Sequence, residues 1–319
     1  MPSSSQTLRG YLYISAAALF WGISATMGRA AFTGRLLASG KSLGAIDPLI
    51  LSQSRTTLSF LVFLAVLAVT RGWREFRIPA SDCLRLLLLG VLGVAASNYF
   101  YYLAIQRTNV ATAIVVQYTA PIWVLLYMVV RGLQKPTLGR VGAVILALSG
   151  ITLVIGIFSA GGLRLNPVGV AAALIAALSF AFYNVAGHTV LARYDRWIVL
   201  FYTTFFAALF WMVINPPWKI VAAHYSGAQW SFLAVFSMLS MLVPFSLYFA
   251  GLQHLEPTRA IVVSCLEPVF STLIAALVLG ELLRGTQLLG MVMVLAAIVV
   301  AQLSAGNGEE KGTICEPVD

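Results

Sequence analysis

The chain has 319 residues, of which 60% are hydrophobic and only 10% charged, and its formal net charge is +9. A water-soluble domain carries about 25% charged residues, so the composition excludes an ordinary soluble enzyme or binding module. The apolar residues fall in runs of roughly twenty, the length that crosses a ~30 Å hydrocarbon core, and lipid offers an open backbone no partners, so each run is expected to be an α-helix.

In chain order, ten spans are predicted, over 8–31, 47–70, 84–106, 110–131, 138–158, 166–190, 196–214, 229–252, 258–279 and 286–304. The first could imitate a signal peptide, but it is long, carries Trp21 and Gly22 and has a partner later in the chain, so it is kept as a span. Asp47-Pro48 and Asn166-Pro167 each offer an N-cap followed by a first-turn proline, and Pro257-Thr258 opens the ninth span similarly. The longer loops are 32–46 and 215–228. The organisation expected is an N-terminal segment 1–7, a first unit 8–158, a second unit 166–304 and a polar, disordered tail 305–319 ending GNGEEKGTICEPVD.

Lysines and arginines sit at the ends of the apolar runs rather than on one basic face, which speaks against a nucleic-acid partner. With the N-terminus inside, twelve fall on the inner side and seven on the outer, so both termini are expected in the cytoplasm. Cys83, Cys265 and Cys315 have neither disulfide nor metal spacing, and no metal or other cofactor is expected. The lack of any Asn-x-Ser/Thr acceptor favours a bacterial source.

The stretch AIVVQYTAPIW (113–123) returns 147 residues later as AIVVSCLEPVF (260–270). Tyr101 and Tyr248, and Gln106 and Gln253, match at the same offset. Gly142 matches Gly290, and Asp47 matches Asp195, at 148; Gly28 matches Gly187, and Trp21 matches Phe180, at 159, the jump falling in the loop 32–46. Spans 1–5 and 6–10 therefore read as two copies of one unit. Five is odd, so the second copy starts on the opposite side of the membrane. The fold class expected is an all-α integral membrane protein of ten transmembrane helices in two inverted five-helix repeats. Such repeats belong to secondary transporters, whose substrate sits near the midplane between the halves. Two similar units facing opposite ways give two similar energy wells, one open to each side.

Glu267 lies about nine residues into the ninth span, roughly 14 Å deep at ~1.5 Å per residue. Facing lipid there, its charge would cost ~2.5–3.5 kcal/mol or more, so it must face the protein interior. Pro268 beside it removes one helical hydrogen bond and frees a carbonyl, and Ser264, Glu267 and Ser271 share a face. Glu267 reads either as an ammonium contact or proton carrier, or as a structural residue bonded to a neighbouring helix. The first copy has Ala120-Pro121 instead, which makes the site asymmetric. In the third span Asn98, Tyr101 and Tyr102 share a face and could meet an aromatic or cationic ligand, while Tyr99 reads as an interfacial anchor. Gln117, one turn before Pro121, needs a polar partner at its depth. Trp21, Tyr183, Asn184 and Tyr248 complete the candidate lining, and Pro121, Pro244 and Pro268 are candidate helix breaks that gate it.

Arg55, eight residues into its span, reads as snorkelling or paired rather than as a substrate contact. Trp197, Trp211, Trp218 and Trp230, at span ends, read as interfacial belts, Glu281 as structural, and the glycines of spans 5 and 10 as sites of close packing. The chain has no HExxH, no credible Ser-His pair and no phosphate loop, which excludes an intramembrane enzyme and an ATP-driven pump.

The stretch AIVVSCLEPVFSTLIAALVLGELL (260–283), with its Glu267-Pro268 and Gly280-Glu281 pairs, resembles the second-unit motif of EamA-type drug/metabolite transporters. The resemblance runs from about residue 10 to 304, and the first copy departs from it at Ala120-Pro121 and Gly132-Leu133. Within that family the chain is most similar to the YddG-type exporters of aromatic and other neutral amino acids. The resemblance implies an inner-membrane exporter whose central cavity is lined by spans 1, 3, 4, 6, 8 and 9, with spans 5 and 10 peripheral. The expected activity is export of aromatic and other neutral amino acids by alternating access, with lipophilic cations as the alternative cargo. Protons are the candidate coupling ion, the bilayer the other partner, and a monomer or weak dimer the expected state.

Overall fold

The structure, a computed structural model, describes residues 4–33, 46–70, 78–108, 110–156, 166–279 and 283–306. Glu281, most of the loop 32–46 and nearly all of the C-terminal tail lie outside the described residues. Among those described, ten helices are long and apolar enough to cross a membrane, and they are numbered here as spans. Span 1 is Ser5–Gly28, span 2 Leu49–Thr70, span 3 Ala80–Arg107, span 4 Thr112–Val130 and span 5 Leu138–Ile155. Span 6 is Pro167–Leu191, span 7 Arg196–Ile214, span 8 Gly227–Leu252, span 9 Pro257–Ile274 and span 10 Gly285–Ser304.

The starts are set by side chains that satisfy the orphan N–H groups of a first turn. Asp47 accepts from the N–H of Leu49 and of Ile50, and its repeat mate Asp195 accepts from that of Trp197. Asn166 accepts from Gly169 N–H, with Pro167 in the first turn. Span 8 opens with a reciprocal capping box between Ser226 and Gln229. Span 5 begins at a Thr137 cap and stops at Gly156, whose φ of 69° an L side chain rarely adopts. Span 3 starts at Ala80, earlier than hydropathy suggests, because Asp82 and Arg85 pair within its first turns at 2.9 Å. The loop after span 7 holds a short helix, Pro217–Ala222, too brief to show a helical period in the sequence.

The packing repeats with the chain. Span 1 lies against spans 8 and 9, and span 6 against spans 3 and 4. Span 2 packs on spans 7 and 8, and span 7 on spans 2 and 3. Spans 5 and 10 pack along each other, outside spans 4 and 9. Each of these contacts has a counterpart five spans further on.

Irregularities recur at matching places as well. Spans 3 and 8 each contain a π-helical stretch, Leu89–Ala95 and Met238–Leu242. Shifted back by the 147-residue offset, the second falls at 91–95, inside the first. Spans 4 and 9 are both interrupted, as Val110–Gln117 then Ala120–Val130, and as Pro257–Ser264 then Leu266–Leu279. Pro121 and Pro268 explain the breaks. Each lacks the N–H that would bond four residues back, and its ring crowds that carbonyl. Side chains bond other carbonyls beside each break: Thr119 Oγ1 donates to Val116 O at 2.7 Å and Ser264 Oγ to Ile261 O at 2.7 Å.

The glycines of spans 5 and 10 allow close packing as expected: Gly150 lies opposite Gly290 and Gly139 against Ser304 of span 10, while Gly142 has open space beside it. One expectation about packing needs correction. Trp211 is no interfacial anchor. It is 0% exposed and packs edge-on to Tyr99 and Phe210, because span 7 turns this face toward span 3. Tyr99 shares that cluster.

Candidate functional site

Glu267 sits two residues past the break in span 9 and is partly accessible although deep in the bundle. Its surroundings come from four other spans. The backbone of span 1 passes against it at Gly22, where a Cβ would lie 3.2 Å from Glu267 O and 2.9 Å from Ser271 N. Only a residue without a side chain permits that approach. Tyr118, in the break of span 4, brings its hydroxyl toward the Glu267 carboxylate, yet this buried oxygen completes no hydrogen bond of good geometry. Tyr101 of span 3 lies near both the carboxylate and Tyr118, and Arg55 of span 2 is close enough to feel the charge of Glu267. A carboxylate enclosed in this way faces protein rather than lipid, as its cost in hydrocarbon requires.

Arg55 is paired, and the partner is Asn98. The guanidinium Nη2 donates to Asn98 Oδ1, while Asn98 Nδ2 donates to Val94 O at 2.7 Å, which fixes the direction of the amide oxygen. The Arg55 Nε is buried without a partner. Arg55 and Glu267 do not close to an ion pair, whereas Asp82 pairs with Arg85 and Glu256 with Arg259.

The other candidate residues divide into two groups. Gln117 and Tyr101 are partly accessible beside the break in span 4, and Tyr102 is buried with its ring 5.6 Å from that of Tyr101. Trp21, Tyr183, Asn184 and Tyr248 lie together in a closed aromatic cluster. Tyr248 donates its hydroxyl to Asn184 Oδ1, and its ring lies 5.3 Å from Trp21 and 6.2 Å from Tyr183. Phe245 and Phe249 fill the remaining faces of Tyr183. Ser264 is buried, its hydroxyl committed to its own helix. Pro244 lies two residues past the π-helical stretch of span 8.

Two polar clusters lie away from this centre. At the end of the bundle that carries Tyr11, Gln134 Nε2 donates to Glu256 Oε2 at 2.9 Å and Gln134 Oε1 accepts from Thr258 Oγ1 at 2.8 Å, tying the turn after span 4 to the start of span 9. Where span 3 starts and span 6 ends, a shallow recess is lined by Asp82, Arg85, Arg193 and Tyr194. There the Tyr194 hydroxyl donates to Asp82, and this bond holds the phenol above its ordinary pKa, with burial adding to the effect.

Sequence reasoning passed over Arg55 as part of the centre and did not single out Tyr118. The signal for Arg55 was present: a cation inside a span needs an anion, and Glu267 is the anion of the bundle interior. The Gln134–Glu256–Thr258 bridge joins residues more than a hundred positions apart and left no local pattern.

Comparison with known proteins fits this architecture. The EamA-like transporter family model matches residues 8–156 and again 167–302, one match per five-span unit. A Salmonella typhimurium protein called uncharacterized inner membrane transporter YicL is 24% identical over 312 residues, covering 94% of this chain and 97% of its own. The threonine/homoserine exporter RhtA of Salmonella typhimurium is 27% identical over 274 residues, covering 84% of this chain and 88% of its own. A solved crystal structure, 22% identical, superposes with a TM-score of 0.74 over 95% of this chain and 98% of its own, which shows a shared fold. The chain belongs to the EamA-like transporter family, and is therefore a multi-pass membrane transporter of small metabolites rather than an enzyme.

Proposed function

We propose that this protein is an inner-membrane exporter of neutral amino acids, small hydroxylated ones foremost, working by alternating access between two inverted repeats. Both termini lie in the cytoplasm, as the lysine and arginine distribution favours. The observation that carries the reading is Glu267: a carboxylate-bearing residue at mid-depth, only partly accessible, enclosed by spans 1 to 4, beside two helix breaks at matching places in the repeats. Broken helices at the midplane are where transporters of this architecture hold their substrates. Glu267 is suited to an α-ammonium group, and Tyr101, Tyr118 and Gln117 can meet a side-chain hydroxyl.

Similarity to a threonine/homoserine exporter supports the small hydroxylated class. Aromatic amino acids come second, because the rings of Trp21, Tyr183 and Tyr248 already pack in one closed cluster. The test is flux of labelled L-threonine and L-tryptophan in proteoliposomes containing the purified protein, with and without an imposed pH gradient. Saturable threonine flux supports the proposal, and its response to the gradient reports proton coupling. Flux of a lipophilic cation such as tetraphenylphosphonium with no amino-acid flux would overturn it.

A further inference from the structure

We propose that Arg55, aimed by Asn98, is the carboxylate-binding residue of the transport site, so that the cargo is held as a zwitterion between Arg55 and Glu267. The proposal rests on the reading of the site as one for amino acids, and it adds the second charged contact that a zwitterion needs.

An arginine inside a membrane span is costly and is normally neutralised by a contacting carboxylate. Here the nearest protein anion is held off. Arg55 and Glu267 lie within reach of each other's field but are not in contact, and Tyr101 is near both. Each lacks the close partner its charge requires. The guanidinium gives one N–H to a neutral amide oxygen and keeps Nε buried and unpartnered, while Glu267 has only the unbonded approach of Tyr118. A guanidinium presents five donors in a planar fork that matches a carboxylate.

Asn98 makes the arrangement directional. Its amide nitrogen is bonded to Val94 O, one turn back in its own helix, so its oxygen must point at Arg55. That spends one donor of the fork on Asn98 and leaves Nε without a partner. By helix rise, Arg55 is ~9 Å from its end of span 2 and Glu267 ~15 Å from the opposite end of the bundle, which sets the two charges at neighbouring levels near the middle. An α-amino acid carries its two charged groups on one carbon and fits between such poles. A simple amine or a lipophilic cation would leave Arg55 unpaired and repelled.

The test uses the full-length protein in proteoliposomes, with labelled L-threonine as probe. The competitors are L-threoninol, which lacks the carboxylate, and 3-hydroxybutyrate, which lacks the ammonium group. Charge-assisted hydrogen bonds of this kind correspond to roughly ten- to hundredfold in affinity. In the wild type both analogues should therefore inhibit at least about tenfold more weakly than unlabelled threonine. Arg55→Gln should raise KM for threonine by roughly ten- to hundredfold without changing inhibition by threoninol, and Arg55→Lys should recover part of the loss. Threonine transport with threoninol competing as well as threonine itself overturns the Arg55 assignment and leaves the transporter reading standing. A wild-type KM in Arg55→Gln does the same. A wild type that moves no amino acid overturns both readings. The wild-type competition decides the matter even if Arg55→Gln fails to fold.

Discussion

Gly150 and Gly290 each face the other's backbone carbonyl: a Cβ on Gly150 would stand 2.7 Å from Gly290 O, and one on Gly290 would stand 2.5 Å from Gly150 O. Spans 5 and 10 thus touch backbone to backbone, which is how helices in lipid gain contact without a hydrophobic driving force. Either Gly→Ala change forces the helices apart and should destabilise the protein by about 1–3 kcal/mol. Gly142→Ala, with nothing within 4 Å of its new methyl, should leave stability unchanged or slightly raised. Thermal unfolding of the purified variants in detergent separates the two cases.

Glu267→Gln keeps the shape of the side chain and removes its charge. Amino-acid flux in proteoliposomes should fall by about tenfold or more, and any response to an imposed pH gradient should disappear with it. Flux within about twofold of wild type and an intact gradient response would take the carboxylate out of the transport step.

Pro121→Ala and Pro268→Ala return the missing N–H donors and allow spans 4 and 9 to run through their breaks. Thermal stability should hold or rise by up to about 1 kcal/mol, while maximal flux falls several-fold, because the breaks place Tyr118 and Glu267 and absorb the rocking. Measuring flux and melting temperature on the same preparations distinguishes this from simple damage, in which both fall together.

Glu256→Ala removes the acceptor shared by Gln134 and Arg259 at the end of the bundle near Tyr11. The stranded Gln134 amide should cost about 1–3 kcal/mol in detergent stability. Gln134→Leu with Thr258→Val, which removes both ends of the second bond, should cost less than Glu256→Ala, since no buried polar group is then left alone.

What could be read from the sequence follows from what is local. Span number came from apolar run length, and starts such as Asp47 and Asn166 came from residues that cap their own helices. The doubled AIVV stretch located both helix breaks, since a proline acts four residues back along the same chain. Arg55 was undervalued because its partner Asn98 is 43 residues away, in another span. Trp211 was misplaced because a tryptophan near a span end is usually interfacial, and only the neighbouring span decides whether lipid or protein meets it. The π-helical stretches carry no proline within them; the second was marked only by Pro244, two residues beyond it, and the first by nothing in its letters.

Those stretches determine how the chain can change. A π turn amounts to one extra residue threaded into an α-helix, and each residue corresponds to about 100° of rotation about the axis. Whatever follows Leu89–Ala95 is therefore clocked by that single insertion. Losing one residue there would swing Asn98 away from Arg55 and Tyr101 away from Glu267 while leaving span 3 long enough to cross the membrane. The same holds for Tyr248 beyond Met238–Leu242. Single-residue deletions in these two windows should be inserted and folded yet silent in transport.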